Sequence, residues 1–114
     1  MKAEDFRRVA LSLPEASESA HVGHPDFRVG GKIFATLGYP NDEFGVAMLS
    51  PEQQEEFVRK DSDSFAPANG AWGKRGSTVI QLETVEADTM RSAVTLAWLK
   101  IAPKRLTQVF TPDA

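Results

Sequence analysis

The sequence predicts an α+β fold of two layers, an antiparallel β-sheet of four to five strands covered on one face by about three helices. Two observations carry this. Apolar residues recur at helical spacing near both ends of the chain and, more thinly, in the middle. Between those stretches lie short runs of β-forming residues, separated by turn residues at close spacing.

Phe6, Val9, Ala10 and Leu13 fall at i, i+3, i+4 and i+7, one stripe of a helix over roughly residues 3 to 13. Pro14 ends it, because proline lacks an amide proton and pushes its predecessor out of the α region. Ser17 to Val22 is a candidate for an extra strand. Asp26 to Val29 and Lys32 to Leu37 flank Gly30-Gly31, where both glycines can take the positive φ that a type I′ hairpin needs. Tyr39-Pro40-Asn41-Asp42 then turns the chain into a strand from Phe44 to Leu49. Ser50-Pro51-Glu52-Gln53 is a compact helix start, with Ser50 as N-cap, Pro51 at the first helical position and Gln53 closing a capping box. The helix it opens, over 51 to 60, carries little apolar content beyond Phe57 and Val58, so only a narrow edge should touch the sheet. An irregular stretch, Ala66 to Gly76, precedes a last strand within Ser77 to Leu82. Met90, Ala93, Val94, Ala97, Trp98 and Ile101 form the longest apolar stripe, with Glu86 and Asp88 in the favourable first turn. Pro103 breaks or restarts that helix, leaving Leu106, Val109 and Phe110 for a short terminal segment.

A chain of 114 residues is expected to form one domain over residues 1–114, with a core that needs neither disulfides nor a structural metal. Its 41% apolar and 25% charged residues exclude the disordered and fibrous classes. The absence of cysteine excludes disulfides, thiolate nucleophiles, zinc ribbons and iron–sulfur clusters. In MKAEDFRRVALSLPE charged residues interrupt every apolar run, which leaves no signal peptide or membrane span and makes a cytoplasmic location the expectation. The formal charge of −3 argues against a surface built wholly for phosphate backbones. It is unevenly spread, however: residues 1 to 66 carry 7 Lys/Arg against 12 Asp/Glu, and residues 67 to 114 carry 6 against 4. An anionic partner should therefore meet the C-terminal part.

Four motifs, in order along nearly the whole chain, carry a family resemblance. They are Leu11-Ser12-Leu13-Pro14-Glu15, then His24-Pro25-Asp26-Phe27-Arg28-Val29 leading into Gly31-Lys32-Ile33-Phe34-Ala35, then Gly70-Ala71-Trp72-Gly73-Lys74-Arg75-Gly76, and last Ala97-Trp98 with Ala102-Pro103-Lys104. Together they resemble the MmcQ/YjbR family. The resemblance implies a two-layer fold with an antiparallel sheet, similar to that of type III secretion chaperones, and a family often described as DNA-binding proteins of a double-wing type. Many members carry a lysine-tryptophan pair before the last strand, whereas here Trp72 is followed by Gly73-Lys74-Arg75.

Several constellations invite chemistry. His21, His24 and Asp26 supply two imidazoles and a carboxylate, the inventory of a metal or catalytic site near Ser17 and Ser19. On one strand, though, His21 and His24 point to opposite faces, and Gly23 and Pro25 suit a turn, so partly exposed turn histidines are the simpler reading and no metal is expected. The glycine-rich segment from Gly70 to Gly76 lacks the spacing of a phosphate loop and is followed by a strand, not a helix, so no nucleotide cofactor is expected. Glu15 and Glu18 have no acid/base partner near them in sequence. Phe27, Phe34, Phe44, Phe57, Phe65 and Trp98 fall where a core is already required.

What remains is a binding surface. An exposed aromatic on a basic, glycine-rich loop can stack on a base while cations hold phosphates. The expectation is therefore a non-enzymatic domain whose Trp72, Lys74, Arg75, Arg91, Lys104 and Arg105 form one C-terminal nucleic-acid-binding surface, weak and salt-dependent because about six positive charges are available, Lys100 included. The bland reading of the same residues is solubilising charge around an indole that caps the core. The alternative function is a protein-interaction or chaperone-like module without a nucleic-acid role. A small hydrolase centred on His21 and His24 comes third.

Overall fold

The computed structural model describes residues 1–110. In chain order it contains α1 (Ala3–Leu11), β1 (Ser17–His21), β2 (His24–Val29), β3 (Lys32–Leu37), β4 (Phe44–Met48), α2 (Pro51–Lys60), β5 (Phe65–Pro67), α3 (Gly70–Lys74), β6 (Ser77–Gln81), α4 (Ala87–Ile101) and α5 (Lys104–Thr107). The strands form one antiparallel sheet of six in the order β1-β2-β3-β4-β6-β5. Of the six, β1 is the extra strand that Ser17 to Val22 offered as a candidate, and β5 is the one beyond the expected four to five. β1 belongs to a run of Ser, Glu and Ala with little β-propensity, and β5 ends in Pro67, which an edge strand tolerates because one side of it needs no ladder bond.

Register sorts the sheet into two faces. Phe27, Ala35 and Ala47 are paired across β2, β3 and β4, with Gly45 opposite Ile80 and Ile80 opposite Phe65 further along. These share the side on which the helices pack: a Cβ at Gly45 would stand 2.7 Å from the Phe6 ring of α1, and Phe57 of α2 lies 5.0 Å from Phe65, centroid to centroid. A bulge between Phe27 and Arg28 lets Phe34 and Ala35 both enter the core, where each is fully buried. α4 supplies the largest helical share with Met90, Ala93, Val94, Ala97 and Trp98, and the Trp98 indole donates to the Pro14 carbonyl at 3.1 Å. Burying each such large side chain contributes about 1.5–3 kcal/mol.

The ends of the helices follow local chemistry. Ser50 and Gln53 close the expected capping box on α2. α1 stops at Leu11, two residues short of the expected end, because Ser12 caps it and Pro14 already constrains Leu13, which turns inward and is buried. Pro103 separates α4 from α5, its ring against Gly30 in the β2–β3 turn.

The opposite face of the sheet carries a continuous row of in-register residues, Ser19, Asp26, Thr36, Val46, Val79 and Ala66, one from each strand. Val46 is fully buried yet lies outside the main core cluster.

Candidate functional site

The glycine-rich segment is a short helix, not the irregular loop its composition suggests. Gly70 enters at φ +70°, and Gly73 packs so tightly that a Cβ would overlap the Ala68 carbonyl oxygen at 1.8 Å. Gly76, at φ +116°, would meet the Leu49 carbonyl at 1.9 Å. The Gln54 side-chain amide donates to the carbonyls of Gly73 and Ser77, at 3.0 and 2.9 Å. The glycines thus serve close backbone packing, which pins α3 between α2 and the start of β6.

This arrangement displays one turn of helix. Trp72 is 42% exposed, while Trp98 is fully buried. The Trp72 ring meets Tyr39 edge to face at a centroid distance of 6.0 Å, joining α3 to the turn after β3. Lys74 and Arg75 follow within the same turn, both exposed and neither in an ion pair among the described residues.

The other expected site residues lie elsewhere. Lys104 and Arg105 open α5 beside the β2–β3 turn, at the end of the sheet where β6 begins but in the helical layer. Arg105 is occupied by Glu15 through two hydrogen bonds of 2.9 and 2.8 Å, and that guanidinium holds the Glu15 carboxyl below its ordinary range. Arg91 stands near the start of α4 in a cleft with Met1, Asp5 and Arg8, toward the opposite end of the sheet. Trp72, Lys74 and Arg75 come together on α3, whereas Arg105 is engaged by Glu15 and Arg91 stands in its own cleft near α1.

The sheet face also holds a polar cluster. A two-residue turn, Val22-Gly23, places His21 directly across from His24, so the two imidazoles share a face and the expectation of opposite faces is corrected. Asp26, 0% exposed, accepts from His21 Nδ1 at 2.8 Å, from Arg28 Nε at 2.8 Å and from Arg28 Nη2 at 3.1 Å. The Arg28 hydrogen bonds chiefly, helped by His21 and opposed by burial, hold the Asp26 carboxyl below its ordinary range, so it is ionised and acceptor-only at neutral pH. Among the described residues no group of three or more His, Cys, Asp or Glu is arranged to hold a metal ion. None of their helices is long and apolar enough to cross a membrane.

Arg28 and Tyr39 are the site residues that sequence reasoning did not single out, whereas His21, His24 and Asp26 are legible together. Alternation along His24-Pro25-Asp26-Phe27-Arg28 was the available signal, because it puts Asp26 and Arg28 opposite the buried Phe27.

These features define a small sheet-and-helix domain with one face packed and the other bearing aromatic and ionic side chains. The YjbR family model matches residues 11–100, and the chain belongs to that family. No curated protein matches it significantly. Among solved structures it is similar to the Deinococcus radiodurans protein DR2400, a crystal structure described by the domain DUF419, with a TM-score of 0.76 at 23% identity over 97% of this chain and 83% of the other. At that identity the likeness establishes the fold alone.

Proposed function

We propose that this YjbR-family domain acts by binding, not catalysis, and that it holds single-stranded nucleic acid on α3 and the adjoining turn. Trp72 and Tyr39 offer aromatic surface to bases, and Lys74 and Arg75 hold the flanking phosphates. The observation that carries this reading is the exposed Trp72 indole, set within one helical turn of two cations that form no ion pair among the described residues. A protein that buries its other tryptophan completely and leaves this one on the surface keeps apolar area in water that could otherwise contribute a few kcal/mol. Base–aromatic stacking contributes about 1–3 kcal/mol per base and tolerates any sequence. With two cations engaged, affinity should fall with salt at a logarithmic slope of about −1.4 for a single strand.

The test is fluorescence anisotropy of a labelled oligothymidylate at low salt. Binding by the wild-type chain, reduced at least about tenfold in the Lys74→Ala/Arg75→Ala variant, supports the reading. Equal binding by both proteins removes it. A second reading, a protein-interaction module, rests on the groove between α2 and α4, about 580 Å³ and floored by Phe57 and Leu96. Capture of a protein partner that is insensitive to salt and lost in Leu96→Glu favours it.

A further inference from the structure

The first hairpin sets Ser17, Ser19 and His21 of β1 in register with Arg28, Asp26 and His24 of β2, all on the face away from the helical layer. The buried Asp26 carboxylate requires partners, and His21 and Arg28 supply them. Those bonds leave a remainder that internal satisfaction does not explain. Because Asp26 is acceptor-only, the His21 proton it receives sits on Nδ1, and Nε2 is left free of it. Arg28 commits Nε and Nη2 and keeps Nη1. Both side chains remain 35% exposed. The Ser17 and Ser19 hydroxyls, on an exposed edge strand, have no side-chain hydrogen bond among the described residues. The result is a set of donors, two of them aimed by a buried carboxylate.

We infer that this cluster is a binding site for a phosphoryl oxyanion, with Arg28 Nη1 and protonated His21 Nε2 as the charged donors. The serine hydroxyls are the neutral donors, and His24 is a second imidazole beside them. The charged or titratable groups around His21 are His24, Asp26 and Arg28 of β2; β3 contributes Thr36 opposite Asp26, and the turn that follows brings Gly38 against His24. Glu18 of β1 belongs to the other face, where Arg7 binds it. Asp26 and Arg28 cancel, so the site gains its net positive charge when an imidazole takes up a proton, and anion binding is linked to proton uptake. The site does not depend on the strand-binding surface around Trp72.

The experiment titrates inorganic phosphate into the full chain at constant ionic strength while the imidazole NMR signals are followed. Saturable shifts of His21 at pH 6, at least about tenfold weaker at pH 8 although phosphate itself gains charge over that range, are the expected result. His21→Gln keeps a donor for Asp26 but cannot be protonated, and Arg28→Lys keeps the charge but, with all its donors on one nitrogen, lacks the separate Nη1 arm; each should lose the saturable response, read on His24 in His21→Gln, while its circular dichroism stays that of the wild type. Linear, non-saturating shifts in the wild-type chain, or unchanged affinity in both folded variants, overturn the assignment. Phosphate binding that survives Trp72→Ala separates this site from the surface proposed above. Displacement of an oligothymidylate by phosphate identifies the oxyanion as a strand phosphate, and its failure to displace identifies a free phosphate ester; either result leaves the site standing.

Discussion

Gly45→Ala probes how α1 is held to the sheet. Gly45 is buried in β4, and its backbone is not in a conformation that favours glycine, so the only obstacle to alanine is space. A Cβ there would lie 2.7, 2.9 and 3.0 Å from three atoms of the Phe6 ring, against ordinary contacts of 3.4–4 Å. The ring must retreat by several tenths of an ångström to about 1 Å. It has nowhere to go: Phe6 is 0% exposed and already lies 6.1 Å from the Phe27 ring, centroid to centroid. Overpacking of this kind costs about 1–3 kcal/mol, and at about 4 °C per kcal/mol for a chain of this size the melting temperature should fall by about 8 °C. Differential scanning calorimetry gives the shift, and a double-mutant cycle with Phe6→Leu isolates its cause, because the smaller side chain should recover part of the loss. A melting temperature within about 2 °C of wild type, or costs that simply add in the double variant, would falsify the packing argument.

Three further outcomes follow from the ionic and hydrogen-bonded groups. Asp26 titrates below its ordinary value in the folded chain, so its contribution to stability is complete above the unfolded carboxyl range, near pH 3.9, and is lost as pH falls through the lower folded value; urea midpoints measured from pH 6 to pH 2 should decline less steeply in Asp26→Asn. The Arg105–Glu15 pair is more than half exposed on both sides, so Arg105→Ala should leave the melting temperature and oligonucleotide affinity unchanged within error. Trp98→Phe removes the only side-chain donor to the Pro14 carbonyl among the described residues and trims a fully buried ring, so it should cost about 1–3 kcal/mol in a denaturation experiment.

Local signals carried most of the helices and the central strands. The stripe from Met90 to Ile101, the Ser50–Gln53 cap and the Gly30-Gly31 turn each depend on neighbours within a few residues, and each appears where its chemistry places it. β1 was less legible because Ser17-Glu18-Ser19-Ala20 has no propensity to announce a strand; it exists because β2 offers it a ladder across a turn in which Val22 takes φ +50°. α3 was hidden for the opposite reason. Its glycines read as flexibility, whereas two of them mark close approach to the Ala68 and Leu49 carbonyls, a contact no local rule reveals. The same limit governs the site. That Trp72, Lys74 and Arg75 stand together follows from adjacency, but the placement of Arg91 near α1 and the pairing of Arg105 with Glu15, ninety positions away, depend on how α4 and α5 dock.

The most direct measurement of the proposed function is the intrinsic fluorescence of Trp72 during an oligothymidylate titration, since Trp98 is sealed in the core and contributes a constant background. Saturable quenching at low salt, absent in Trp72→Phe and weakening with a logarithmic salt slope of about −1.4, is the predicted result. Emission that does not change over the titration, or quenching that persists undiminished in Trp72→Phe, contradicts it.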